Sequence, residues 1–62
     1  MAKTRYMVAV IGENHRPAGV FGNTTSHSRA KKAAKMRAKQ TGQRVGVFKF
    51  EGDRYYGLFE SY

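Results

Sequence analysis

Four short apolar runs, bounded by turn residues, surround one longer segment of lysine, arginine and alanine. Arg5–Ile11 (RYMVAVI) is rich in strand formers and stops at Gly12, which predicts a first strand. GENHRP supplies Gly, Asn and Pro for a connection, and Ala18–Phe21 (AGVF) reads as a short second strand ended by Gly22 and Asn23. Ser28–Gln40 holds neither Gly nor Pro and is built from good helix formers. Thr25, Ser26 and Ser28 are alternative N-caps, and Gly42 is a suitable residue to end the helix. Arg44–Phe50 (RVGVFKF) and Tyr55–Phe59 (YYGLF) then read as a hairpin closed by EGDR, with Gly52-Asp53 as its loop. Regular pairing from that loop sets Phe50 opposite Tyr55, Phe48 opposite Gly57 and Val47 opposite Leu58.

The expected architecture is therefore a single α+β domain over residues 1–62. Its order is β-β-α-β-β, a four-stranded antiparallel sheet with one helix on one face. On a helical wheel, His27, Ala30, Ala34, Ala38 and Thr41 share a narrow arc, a small-residue seam suited to close packing on a sheet. Arg37 falls in the same arc. Either its guanidinium passes the sheet edge or its stem covers apolar surface. Both faces of the predicted sheet carry large apolar groups, and one helix covers only one face. One assignment puts Val8, Val10, Val20, Val45, Val47 and Leu58 under the helix and leaves Phe48, Phe50, Tyr55 and Phe59 open. The reverse assignment, rings against the alanine seam, also packs.

Charge adds what the apolar pattern does not contain. Twelve Lys and Arg oppose four Asp and Glu, a formal net charge of +8. Nine of the cationic residues lie between Asn14 and Phe50, where there is no acid. Lys31, Lys32, Lys35 and Lys39 fall on one arc of the wheel about 100° wide, a stripe and not a ring. Arg29, Lys31 and Lys32 stand near the positive end of the helix dipole, an unfavourable place that an external anion would relieve. A single-sign field of this kind draws polyanions.

Binding of nucleic acid, DNA or RNA, is the expected role. Lys31, Lys32, Lys35 and Lys39 would meet phosphates, helped by Arg29, Arg44 and Lys49, with Ser28 at the helix N-terminus. Phe48, Phe50, Tyr55 and Phe59 would stack on bases or seal a homodimer. The run Lys31–Lys35 (KKAAK) resembles the C-terminal helix of double-stranded-RNA-binding domains, where a KKxAK run meets phosphates across a groove. The likeness spans about a dozen residues and implies a mode of phosphate contact. The chain departs from that family in lacking its first helix and in continuing with two more strands.

Other classes have weaker signals. An acidic protein partner is the alternative: a small basic regulator could block the nucleic-acid channel of a larger enzyme, as some phage-encoded inhibitors do. A structural part of a ribonucleoprotein is another. Catalysis is not expected, because His15 and His27 are the only histidines, with Glu13 the one carboxylate near either in sequence. No metal site or cofactor is expected: there is no cysteine, and the phosphate-cradling glycine loop of NTPases is absent. No apolar run reaches the roughly 18 residues of a membrane span. The start MAKTRYMVAV does not follow signal-peptide order. A cytoplasmic location without a membrane partner is therefore expected.

Overall fold

Two consecutive residues with positive φ, Asn14 (56°) and His15 (57°), reverse the chain after the first strand. The Arg16 N–H donates to the Glu13 carbonyl at 3.1 Å, closing a tight turn of the hand that matches strand twist. In the computed structural model, which describes residues 3–62, this turn joins β1 (Thr4–Ile11) to β2 (Pro17–Thr24). The helix α1 (His27–Thr41) leads to β3 (Val45–Glu51), and Gly52-Asp53 to β4 (Arg54–Ser61). The β-β-α-β-β order is the one predicted. All neighbouring strands are antiparallel, in the spatial order β2-β1-β3-β4.

Several boundaries differ from the expectation. β2 extends three residues past Phe21 to Thr24, and β4 runs on to Ser61. Pairing continues into Tyr62, whose N–H donates to the Val45 carbonyl at 2.9 Å. The helix starts at His27, and of the three candidate caps Ser26 is the one used: its Oγ accepts the Arg29 N–H. Ser28 lies inside the first turn. Gly42 closes the helix in the left-handed conformation.

Both edge strands carry bulges, and these overturn the expected hairpin register. Phe50 faces Tyr55 as predicted, but Lys49 faces Gly57, Phe48 faces Leu58 and Val47 faces Glu60. Tyr56 and Phe59 are the extra residues. Along β2, Ala18 and Phe21 are likewise skipped in the pairing with β1. A bulge adds one unpaired residue, bends the strand and re-aims its side chains. Gly57 accommodates the first β4 bulge at φ +102°, a conformation that a side chain would strain. Regular alternation from the loop has no means of anticipating such insertions.

The core has two layers around the central strands. Ala30 and Ala34 are fully buried against Val8, Val45 and Val47, with Tyr6, Ala33, Ala38 and Tyr62 around them. Of the residues expected under the helix, Val8, Val45 and Val47 are there. Val10, opposite Val45, is half-buried. Val20 and Leu58 are not under the helix. Val20 is 57% exposed, and Leu58 belongs to a second cluster with Met7, Ala9 and Phe48 on the far face.

That far face corrects the expected open aromatic surface. Phe48 is 0% exposed, although no helix covers it, and Phe50 is half-buried. Ile11 and Leu58 close over Gly46, where a Cβ would stand 2.5 Å from Leu58 Cδ1. The missing side chain lets these residues fold inward and roof the face. Phe59 leaves the far face altogether, because its bulge turns it toward the helix, where it meets His27 and Tyr6.

Two variants test this packing. Phe48→Ala should destabilise by about 3–5 kcal/mol, most of the roughly 3–9 kcal/mol expected for a chain of this length. It should lose cooperative thermal unfolding by circular dichroism. His15→Gly relieves a left-handed residue and should raise stability by up to about 1 kcal/mol in urea melts.

Candidate functional site

The lysine stripe projects from the most regular element of the fold. Ala30, Ala34 and Ala38 face the sheet, which leaves Lys31, Lys32, Lys35 and Lys39 exposed, with Arg29 and Met36 further round. The side toward β4 is identified by Tyr62, whose ring lies 5.6 Å beneath Lys35 Nζ. On the other flank the Arg37 guanidinium sits 5.1 Å from the Phe21 ring on β2. Arg37 thus reaches the β2 edge and caps an aromatic ring, joining the two accounts the sequence left open.

Beyond the N-terminus of α1, the helix side of the sheet carries a second group of residues. The His27 ring contacts Tyr6 (5.3 Å) and meets Phe59 edge-on (5.2 Å, 82°). Lys49 Nζ lies 5.5 Å from the ring centres of both Phe59 and Tyr56, and Arg54 lies 5.6 Å from Tyr56. The Tyr56 hydroxyl donates to Glu51 at 2.7 Å, which fixes the ring's tilt. Yet Tyr56 is 51% and Phe59 45% exposed. Both rings sit at β4 bulges. Sequence reasoning did not single out Tyr56, because alternation puts the residue on the helix face without showing that the helix stops short of covering it.

The acids are engaged by hydroxyls and by histidine. His27 Nε2 lies 2.6 Å from Glu60 Oε1, the one ion-pair contact among the described residues. The pairing spans 33 residues, a contact that nearness in sequence does not show. Tyr62 donates its hydroxyl to Glu60. That bond is the chief cause that lowers the Glu60 carboxyl below its usual value, with His27 and Lys31 adding to it against the opposing effect of desolvation. The same bond, with desolvation and the carboxylate charge, pushes Tyr62 up to about 12. Tyr56 holds Glu51 down and is itself raised by the same logic.

The expected site residues therefore divide. Ser28, Arg29, Lys31, Lys32, Lys35 and Lys39 lie together on the helix, and Lys49 and Phe59 join them past its first turn. Arg44 is exposed at the opposite end of the helix, in the turn before β3. Phe48 is unavailable for stacking. Phe50 and Tyr55 pair with each other on the far face at 5.0 Å. Among the described residues no three His, Cys, Asp or Glu side chains converge as a metal site requires, and no helix is long and apolar enough to cross a membrane. Set against protein-family models, curated proteins and solved structures, the chain has no significant match.

The pH dependence of stability follows from these bonds. Glu60 and Glu51 are lowered in the fold, so their contribution is present above the ordinary value of 4.5 and is lost as pH falls below it. Tyr62 and Tyr56 are raised, so theirs is present below 10.0 and is lost as pH climbs above it, for Tyr62 as pH passes about 12. Thermal melts across pH should show both declines. Tyr62→Phe should flatten both limbs, because it removes the donor from Glu60 and the titrating hydroxyl together.

Proposed function

We propose that the protein binds nucleic acid without catalysing a reaction on it, by presenting the β4-facing flank of α1 to the phosphate backbone. One observation carries this reading. Lys31, Lys32, Lys35 and Lys39 stand exposed on one side of a rigid helix, and none lies within ion-pair distance of a carboxylate among the described residues. Like charges a turn apart repel by a few tenths of a kcal/mol per pair. A polyanion removes that repulsion and releases its own counterions on binding.

Regular spacing adds to the argument. Lys31, Lys35 and Lys39 repeat every four residues, about 6 Å along the axis, which sets three ammonium groups in a row along one flank. Ser28, in the first turn, extends the row to the positive end of the helix dipole, and Arg29 adds a charge there further round the helix. Little base discrimination comes from this flank. The helix has no Asn, and its one Gln, Gln40, stands at the far end, so an adenine-reading amide is scarcely present.

Charge reversal tests the reading. Lys31→Glu, Lys32→Glu and Lys35→Glu together should abolish binding of labelled DNA and RNA in fluorescence anisotropy, with an unchanged circular dichroism spectrum. For the wild type, log affinity should fall with log salt by about 0.7–0.9 per phosphate engaged. Binding that survives the triple reversal removes the helix from the interface. Binding of no nucleic acid at any salt overturns the proposal and directs the search to an acidic protein partner.

A further inference from the structure

Resting on the nucleic-acid reading above, we infer that the ligand is single-stranded, with unpaired bases stacking on Tyr56 and Phe59 while the backbone follows the helix flank. The inference starts from a pair of rings whose exposure the fold does not require. Each occupies a bulge on β4, outside the regular pairing, and both lie on the helix side, Phe59 only because the register shift at Tyr56 reverses its facing. The result is two half-exposed rings, Tyr56 and Phe59, with the Lys49 ammonium 5.5 Å from both centres.

This group matches what an unpaired nucleotide offers. A free base has a flat face for a ring and a phosphate a few ångströms away for an ammonium. In a duplex the base faces are already occupied by neighbouring pairs, so exposed rings would add little to its binding. The rings are also held in place. Tyr56 is tethered through its hydroxyl to Glu51, and Phe59 rests edge-on against His27 and beside Tyr6. Less freedom is therefore lost when a base docks.

The rings and the lysines form one surface. His27 touches Phe59 and is the first residue of α1, and Lys31 and Lys35 follow one and two turns later on the β4 side. A strand leaving the rings meets Ser28 and Arg29, then the lysine row. β4 is an edge strand, so no neighbouring strand obstructs this path. Among the described residues this surface is cationic, with Glu51 and Glu60 interspersed and both hydrogen-bonded to tyrosines, which fits an anionic polymer.

Anisotropy titrations with a labelled oligodeoxynucleotide, alone and annealed to its complement, separate the possibilities. The wild type should bind the single strand more tightly than the duplex. Tyr56→Leu and Phe59→Leu keep apolar bulk at half-exposed positions. Each should weaken single-strand binding about tenfold, the scale of one lost base stack, with the salt slope unchanged. Tyr56→Phe keeps the ring and loses only its tether to Glu51, so it should lose less affinity than Tyr56→Leu, and binding should quench tyrosine fluorescence less in Tyr56→Leu than in the wild type. A preference for duplex, or leucine variants that bind single strands as the wild type does, overturns the inference and leaves the phosphate-binding proposal standing. Binding of neither polymer overturns both.

Discussion

The close seat of one helix on the sheet, through Ala30 and Ala34, is the constraint on which the rest of the structure depends. Both side chains are fully buried against Val8, Val45 and Val47. Small residues let the helix approach closely, so a short chain without disulfides gains a dry contact from very little volume. A larger residue at either position would overpack this seam, at a cost of about 1–3 kcal/mol. The seam also fixes the rotation of the helix. With the alanines inward, the lysines have one side left to them, and that side borders β4.

The edges of the sheet adapt to the same helix. Phe21, Tyr56 and Phe59 all stand at bulges and on the helix side, one on the first edge and two on the second. On β2 the Arg37 guanidinium lies against the Phe21 ring, which stays 37% exposed. On β4 the rings remain half-exposed and share a lysine. The two edges thus differ: β4 gathers two rings around a lysine on the flank proposed for the ligand, and β2 carries one ring beside an arginine. The far face, closed over Gly46 by Ile11 and Leu58, offers less apolar surface than its composition suggests.

Much of this was legible in the sequence. Strand and helix identity followed from apolar runs and from an uninterrupted set of helix formers, because local propensity and tertiary structure agree there. The lysine stripe could be placed because helical periodicity is rigid over 15 residues. What escaped was set by contacts between distant segments. The His27–Glu60 pair needs β4 to end beside the start of the helix. Phe59 and Leu58 were misplaced because a single inserted residue reverses the facing of all that follows. Phe48 looked exposed because alternation says which face a residue is on and not whether its neighbours close over it.

The most direct test of the account is a map of amide chemical-shift changes by NMR as a single-stranded oligonucleotide is added. The account predicts changes at Ser28–Lys39 on the helix and around Lys49, Tyr56 and Phe59, with Val20, Tyr55 and the Asn14-His15 turn unmoved. Changes centred on the far face, or spread evenly over all basic residues including Arg16 and Arg44, would contradict it.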